Sequence, residues 1–320
     1  MVMDDCKIIK IEMLNRYFKK TKNLGKGGFG EVYQATVTEY GKTLLPPGSP
    51  SIVAIKKINI STTSERFSVE LLHNEINILK KLNLSASIKY YGCFIDENNT
   101  TLSIVMELAQ GKDLFDLIFD RKIYLKFQDK LYIAIELAKA ISECHAAGLV
   151  HHDIKPENII VDLSSKQQIK VKLIDFGLSC LESQKQKCKN STGTSSYLDP
   201  KAISGDFDSM KYADWWSFGH TLIVLFYKIS LYHDFKFIKL SQDQGIVPTS
   251  IYKMLQTLTN PSISANKRPT PEFIISTLAK EHTSTRKPYR IKRRFWYTKS
   301  MNRRYDELQK SMNQLKELIR

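Results

Sequence analysis

Two short polar segments carry the residue types needed for phosphate and metal chemistry. The first reads HHDIKPEN at residues 151–158, and the second reads DFG at residues 175–177. Each adjoins an apolar stretch, so we expect Asp153, Asn158 and Asp175 to face one site. An aspartate that accepts a proton, with Asn and Asp oxygens nearby, suits Mg²⁺ and a nucleotide. Zinc held by the two adjacent histidines is a poorer alternative, because no third nitrogen or sulfur ligand stands at metal spacing.

A glycine cluster near the start of the chain is a second candidate site. The sequence LGKGGFGEV at residues 24–32 places Gly25, Gly27 and Gly30 in a GxGxxG pattern. In a dinucleotide-binding fold the third glycine opens a helix, whereas the alternation after Gly30 indicates a strand. A strand–loop–strand hairpin would lay backbone amides over phosphates, and an ordinary hairpin turn is the alternative.

A lysine on an apolar strand is the third candidate. Lys56 ends the sequence VAIK, and a buried ammonium group needs an anionic partner. Glu75 is the best partner, because helical spacing puts it on an apolar face. That face also carries Leu72, Ile76 and Leu79. The alternative is that Lys56 reaches solvent from the edge of the strand.

A β-rich first third and a helix-rich remainder must position these residues. Alternation and helical spacing predict the elements. The predicted strands are a hairpin over 17–37 and single strands at 52–55, 102–108, 159–163 and 169–174, with a proline-rich loop at 41–50. The predicted helices are 62–82, opened by a capping box at Thr62 and Glu65, and the segments 128–147 and 212–229.

Taken together, the motifs resemble those of the eukaryotic-type serine/threonine protein kinase family. The glycine loop, VAIK, the helix glutamate, HxDxKxxN and DFG occur in the family's order over residues 17–282. The resemblance implies an α+β, bilobal protein-kinase-like fold. A small β-rich N-lobe with one helix would span 17–107, and a larger helical C-lobe would span 108–282. Residues 1–16 would form an N-terminal extension, and residues 283–320 a basic C-terminal extension with a short amphipathic helix.

The resemblance also implies a reaction. The chain would transfer the γ-phosphoryl group of ATP, with Mg²⁺ or alternatively Mn²⁺, to Ser and Thr hydroxyls of protein substrates. Lys155 and the pair Gly193-Thr194 resemble those of Ser/Thr-specific members rather than of tyrosine kinases. A pseudokinase-type binding scaffold is the alternative, although such scaffolds usually lose at least one of the motif residues that this chain retains.

Catalytic and metal-binding roles follow from the same resemblance. Asp153 would accept the proton of the substrate hydroxyl, with Lys155 near the transferred phosphate. Lys56, held by Glu75, would contact the α- and β-phosphates of ATP. The metal ligands would be Asn158 and Asp175.

Nucleotide contacts are implied as well. The adenine would lie against residues 107–109, Met106 would guard the pocket behind it, and Asp113 would face the ribose. The full set is Leu24, Gly25, Lys26, Gly27, Gly28, Phe29, Gly30, Val32, Ala54, Lys56, Met106, Glu107, Ala109 and Asp113. Further, Leu79, Tyr90, His151 and Phe176 resemble the stacked residues that link the two lobes, and Asp214 resembles the start of the central helix.

Two residues depart from the family pattern. His152 replaces an arginine that usually binds a phosphate on the activation segment, and histidine is only partly charged near neutral pH. We therefore expect activity that does not depend on phosphorylation of that segment. Lys201 replaces a glutamate that usually pairs with an arginine, which here is Arg268. Either Lys201 turns outward or Arg268 pairs with another anion.

Composition indicates a globular protein with a basic tail. The 320 residues hold 48 Lys+Arg and 33 Asp+Glu, and residues 280–320 account for +9 of the net +15. The segment 286–304 mixes cations with aromatics, which predicts either a nucleic-acid or other anionic partner or docking on the large lobe. Leu308, Met312, Leu315 and Ile319 then recur at helical spacing.

Cysteine usage and hydropathy bear on the compartment. Five scattered cysteines suggest neither a metal cluster nor a disulfide framework, which favours a reducing, intracellular environment. No apolar run is long enough for a membrane span, and the acidic start lacks a signal core. We therefore expect a cytoplasmic protein, with a nuclear location as the alternative because of the basic tail, and no oligomeric state is predicted.

Overall fold

The computed structural model describes residues 6–27, 30–60, 67–82, 84–165, 168–187, 193–200, 207–229 and 246–284. These residues form a lobe built on a β-sheet and a second, mainly helical lobe. The α+β class and the two-lobed arrangement predicted from the sequence are confirmed.

A six-stranded sheet forms the N-terminal lobe. Its strands are β1 (Lys7–Ile9), β2 (Phe18–Gly27), β3 (Gly30–Val37), β4 (Ile52–Asn59), β5 (Tyr90–Asp96) and β6 (Thr101–Glu107). The spatial order is β1-β5-β6-β4-β3-β2, and among the described strand pairs of this sheet only β1–β5 is parallel. The predicted hairpin is therefore β2–β3, and the strand that contains the VAIK motif is β4.

Helices cover both faces of this sheet. Helix α3 (Phe67–Lys81) packs its apolar side, which includes Ile76 and Leu79, into the main core. Two shorter helices, α1 (Ile11–Tyr17) and α2 (Glu39–Lys42), were not predicted. On the other face a second cluster joins residues before β2 to the sheet, and it includes Leu14, Phe18 and Phe94. The predicted capping box before α3 lies outside the described residues.

Five helices and short strands build the C-terminal lobe within the described residues. The helices are α4 (Leu114–Phe119), α5 (Phe127–Ala146), α6 (Phe207–Tyr227), α7 (Thr249–Leu258) and α8 (Pro271–Thr283). The strands are β7 (Lys112–Asp113), β8 (Leu149–Val150), β9 (Ile159–Asp162), β10 (Lys170–Leu173) and β11 (Cys180–Leu181). Residues 221–226 of α6 are all buried, as expected for a helix that is apolar on every side.

A disulfide corrects the prediction made from cysteine spacing. Cys6 is bonded to Cys93, which fastens the residue before β1 to the middle of β5. Cys180 is also disulfide-bonded, whereas Cys144 is a free, buried thiol. Scattered spacing did not reveal this pairing, because folding brings together residues that are 87 positions apart. The cysteine content therefore no longer supports a reducing compartment.

No helix in the described ranges is long and apolar enough to cross a membrane.

Candidate active site

A lysine and two carboxylates meet between the lobes. The ammonium of Lys56 donates to both oxygens of Glu75, at 2.7 and 3.0 Å, and to Oδ1 of Asp175 at 3.1 Å. Burial alone would lower the pKa of Lys56, but the two carboxylates outweigh it and hold that pKa above its usual value. The predicted Lys56–Glu75 pair is thus present, and it extends to the DFG aspartate.

Strand register places the glycine loop next to this lysine. Gly25 lies opposite Val32, and Val32 lies opposite Lys56 on the next strand. At Gly30 the backbone has φ +140°, and a Cβ there would stand 2.0 Å from the carbonyl oxygen of Lys57. The close approach requires glycine, so the turn of the loop is fixed against β4.

Asp153 accepts hydrogen bonds from three side chains. Lys155 Nζ and Asn158 Nδ2 each donate to Oδ2 of Asp153 at 2.7 Å. The Thr194 hydroxyl donates to Oδ1 of Asp153 at 2.9 Å and accepts from Lys155 Nζ at 2.6 Å. Asp153, Lys155, Asn158 and Thr194 therefore form one network, although Thr194 is 36 residues beyond Asn158 in the sequence.

Asp214 on α6 holds the backbone at the start of the 151–158 segment. Asp214 Oδ2 accepts the backbone N–H of His151 at 2.9 Å, and Oδ1 accepts that of His152 at 2.8 Å. His145 Nε2 lies 2.8 Å from the same carboxylate. Burial would raise the pKa of Asp214, but these partners, chiefly His145, lower it below its usual value. His152 has φ +67°, which costs a non-glycine residue roughly 1–2 kcal/mol, so the two N–H bonds help to hold a strained backbone.

The residues predicted to bind metal present suitable oxygens. Both contacts of Asn158 Nδ2 go to Asp153, which leaves the Asn158 amide oxygen with no hydrogen bond to the described residues. Asp175 uses Oδ1 for Lys56, and its side chain is 43% exposed. Burial would raise the pKa of Asp175, but Lys56 lowers it below normal, so this carboxylate is charged. A charged carboxylate and an amide oxygen are ligands that Mg²⁺ accepts.

The described residues contain no zinc site. Across the ranges that the structure describes, no group of three or more His, Cys, Asp and Glu side chains could hold a metal ion. The adjacent histidines serve other purposes. His151 packs on the Phe176 ring at 4.8 Å, and its Nε2 lies 3.1 Å from the carbonyl oxygen of Ile174.

The residues predicted for adenine lie on neighbouring strands. Ala54 on β4 pairs with Met106 on β6, and both are buried. Tyr90 on β5 lies opposite Met106 and packs against the same core cluster as Leu79. Strands β4, β6 and β5 are therefore neighbours in the sheet at Ala54, Met106 and Tyr90. Leu24 is exposed, whereas Val32 and Ala109 are half-buried.

Asp113 and Glu107 are engaged with the protein through their carboxylates. Asp113 caps α4 by accepting the Asp116 N–H at 2.7 Å, and burial, opposed by this bond, raises its pKa. Glu107 accepts from Lys172 Nζ at 2.6 and 2.7 Å. Sequence reasoning missed Lys172, because a lysine on an alternating strand looks like a solvent-facing residue.

The surroundings of His152 favour the neutral form of its imidazole. It is 6% exposed, and its Nε2 atom is buried without a hydrogen-bond partner in the described part of the chain. Burial lowers the pKa of His152, and the neighbouring histidines lower it further, while Asp214 opposes them. A neutral imidazole cannot replace the arginine of the family pattern as a phosphate ligand.

Arg268 pairs with an anion other than the missing glutamate. Its two terminal nitrogens donate to the two oxygens of Asp199, with Nη2 3.1 Å from Oδ1. The guanidinium also lies 4.8 Å from the centre of the Trp216 ring. Of the two outcomes expected from the sequence, pairing with another anion is therefore observed, and Lys201 lies outside the described residues.

Several predicted positions lie wholly or partly outside the described residues. Gly28 and Phe29 fall outside the described residues, and the side chain of Lys26 is not described. The basic segment 286–304 and the predicted helix at 305–320 also lie outside them, so the proposed anionic partner stays a prediction.

Comparisons with known proteins agree with the geometry. The protein kinase domain family matches residues 18–291. Calcium-dependent protein kinase 4 of Plasmodium falciparum is 32% identical over 213 residues, which is 67% of this chain and 38% of that protein. Human myosin light chain kinase 3 is 33% identical over 196 residues, covering 61% of this chain and 22% of that protein.

A third relative is similar to the same extent. The probable serine/threonine-protein kinase fhkA of Dictyostelium discoideum is 31% identical over 209 residues, covering 64% of this chain and 33% of that protein. The chain thus spans well under half the length of these three relatives.

Proposed function

Because the chain belongs to the protein kinase family, we propose that it is an active enzyme that transfers the γ-phosphoryl group of ATP to Ser or Thr hydroxyls of proteins. The observation that carries the proposal is the network around Asp153. Its carboxylate lies 2.7 Å from the Lys155 ammonium and 2.9 Å from the Thr194 hydroxyl. A base beside a cation is the pair of groups that this reaction needs.

In this proposal Asp153 is the base. Its carboxylate accepts the proton of the attacking hydroxyl while the new oxygen–phosphorus bond forms and the bond to the β–γ bridging oxygen breaks. Lys155 lies between Asp153 and Thr194, where its charge stabilises the transferred phosphoryl group. The contacts of Asp153 with Asn158 and Thr194 restrict its rotamer and so keep its oxygens in place.

Lys56 binds the α- and β-phosphates in the same proposal. Its ammonium stays charged, since its pKa is raised, and Glu75 and Asp175 fix its direction. Gly25, Gly27 and Gly30 supply backbone amides from the β2–β3 turn. Asn158 and Asp175 would hold Mg²⁺, which neutralises charge on the phosphates when it is bound.

The assay is transfer from [γ-³²P]ATP to a generic basic protein. We expect Lys56→Met to lower the rate by about 100-fold or more, because the phosphates lose their cation. Lys57→Met is the matched control, since the next residue on a strand faces the opposite side and should keep the wild-type rate within about threefold. Transfer by Lys56→Met at the wild-type rate would exclude the assigned site.

A finer proposal concerns regulation. A neutral, buried His152 is a poor ligand for a phosphate on the activation segment, so transfer should not require phosphorylation there. The purified protein is treated with a phosphatase, and the phosphatase is then removed. The rate of phosphoryl transfer should be unchanged. Loss of the rate, with recovery on autophosphorylation, would refute this.

The alternative is a pseudokinase-type scaffold. It retains a nucleotide-binding cleft but does not transfer phosphate. The complete set Lys56, Glu75, Asp153, Asn158 and Asp175 favours the enzyme. Binding of ATP without transfer to any protein substrate in the same assay would favour the scaffold.

A further inference from the structure

Lys172 connects the segment proposed for adenine to the strand that leads to Asp175. Its ammonium donates to Oε1 and Oε2 of Glu107 at 2.7 and 2.6 Å. Glu107 is the last residue of β6, where the adenine segment begins. Lys172 lies on β10, three residues before Asp175, so one ion pair joins the end of β6 to the strand that leads to Asp175.

The same ammonium has a third partner on the loop after α3. Lys172 Nζ donates to the carbonyl oxygen of Ser87 at 3.2 Å. Ser87 also forms a parallel bridge with Leu173, and the Leu173 N–H donates to the Ala86 carbonyl oxygen at 2.8 Å. The loop that follows the helix bearing Glu75 is thereby fixed to β10.

Glu107 is held on its other side as well. The Lys89 N–H donates to Oε2 of Glu107 at 3.1 Å, and the Glu107 N–H donates to the Lys89 carbonyl oxygen at 2.8 Å. With Lys172 on both carboxylate oxygens, neither the backbone nor the side chain of Glu107 can rotate freely. The first residue of the adenine segment is therefore pinned in one orientation.

We propose that Lys172 is a positioning residue that sets the affinity for ATP by fixing the adenine segment relative to Asp175 and the Glu75 helix. The inference rests on the function proposed above. The Lys172 and Glu107 side chains are 23% and 24% exposed, so the pair is shielded more than an ordinary surface ion pair. Without Lys172, the Glu107 carboxylate loses its cation and keeps only the hydrogen bond from the Lys89 N–H, so the segment is held less firmly.

The test compares Lys172→Met with the wild type. We expect the Kd and the KM for ATP to rise by about tenfold, while kcat changes by less than about threefold, because no reacting atom is touched. Lys172→Arg should recover most of the affinity, since it keeps the charge. A role in stability alone would lower the melting temperature of Lys172→Met and leave its KM for ATP unchanged.

A matched control lies on the same strand. Lys170 is exposed and two residues before Lys172, so Lys170→Met removes a lysine from β10 without touching Glu107. It should keep the wild-type KM for ATP. Glu107→Gln is the second variant, and it should weaken ATP binding in the same direction. In Lys172→Met/Glu107→Gln the two effects should be less than additive.

Binding and transfer are measured separately, so that this inference and the proposed function can fail independently. Wild-type transfer together with an unchanged Kd for ATP in both Lys172→Met and Glu107→Gln would overturn the role of Lys172 alone. If the protein transfers no phosphate but its Kd for ATP depends on Lys172, the role of Lys172 is supported and the proposed activity is overturned. A wild-type protein that does not bind ATP at all would overturn both.

Discussion

The buried pair between Asp199 and Arg268 anchors the residues that follow Thr194. The side chains are 1% and 0% exposed, and the Arg268 guanidinium also contacts the Trp216 ring. Burying two charges is costly, but removing one member costs more, because the other charge is left without a partner.

We predict that Asp199→Asn lowers the free energy of unfolding by about 3–5 kcal/mol, because a neutral amide leaves the buried Arg268 charge uncompensated. Urea unfolding gives the measurement. Asp208→Asn is the control, since Asp208 is 75% exposed and pairs loosely with Lys211 at 3.8 Å. Its effect should stay below about 1 kcal/mol. Equal effects in the two variants would contradict the assigned role of Asp199.

His220 predicts a pH dependence of stability. Burial lowers its pKa to about 4, and its Nδ1 lies 3.1 Å from the Trp216 carbonyl oxygen. The unfolded chain binds a proton near pH 6.5 and the folded chain does not, so stability falls as the pH drops from about 6.5 towards 4.

Between pH 7 and pH 5, the free energy of unfolding of His220→Gln should therefore fall by about 2 kcal/mol less than that of the wild type, since glutamine does not titrate. The urea midpoint at the two pH values measures this. His73→Gln, which changes an exposed histidine on α3, should keep the wild-type slope. If the stability of His220→Gln falls with pH as steeply as that of the wild type, a group other than His220 causes the pH dependence.

Single contacts differed in how well the sequence predicted them. The Lys56–Glu75 pair was predictable, because each residue is charged within an apolar pattern. The Asp199–Arg268 pair was not, because the family pattern pointed to position 201 and spacing alone does not select among nearby acids. The Glu107–Lys172 pair was not predicted either, because both residues sit at strand positions that ordinarily face solvent.

At the scale of elements, the β2–β3 turn depends on a close backbone approach. We predict that Gly30→Ala raises the KM for ATP by about tenfold or more, because its Cβ would overlap the Lys57 carbonyl oxygen and displace the loop. Steady-state kinetics at varied ATP measures the effect.

Gly48→Ala is the matched control for Gly30→Ala. Gly48 has φ +79° in a loop, and a Cβ there would meet no atom within 4 Å. It should cost about 1 kcal/mol of stability from backbone strain and leave the KM for ATP unchanged. An unchanged KM in Gly30→Ala would contradict the assignment of the turn to phosphate binding.

Long, strongly periodic elements were predicted well from the sequence. Helix α5 begins and ends within one residue of the predicted 128–147, because its apolar spacing continues for five turns. Strand β5 was missed, since Gly92 and a register shift break its alternation. Strand β1 was also missed, because three residues are too few to show a period.

At the scale of the whole molecule, the Cys6–Cys93 disulfide attaches the N-terminal segment to the sheet. The two cysteines are 87 residues apart in the sequence. In the chain-entropy model, a crosslink that closes a loop of this length stabilises a fold by about 4 kcal/mol. The sequence could not predict the bond, because the two cysteines meet only after β1 has paired with β5.

Cys6→Ser should therefore lower the free energy of unfolding by about 2–4 kcal/mol under non-reducing conditions, which urea unfolding measures. A reductant should destabilise the wild type more than Cys6→Ser, because only the wild type has this bond to lose. The same response to reductant in both proteins would show that the Cys6–Cys93 bond does not contribute.

In the function proposed above, this two-lobed fold places Asp153 to act as the base in phosphoryl transfer. This role is tested most directly by the kcat of Asp153→Asn with saturating ATP and a protein substrate, alongside the Kd for ATP. We expect kcat to fall by about 100-fold or more and the Kd to stay within about threefold, because asparagine keeps the shape but cannot accept the proton. Asp162→Asn, on nearby β9, should keep the wild-type kcat. An Asp153→Asn protein with a kcat within a few-fold of wild type would contradict the role of Asp153 as the base.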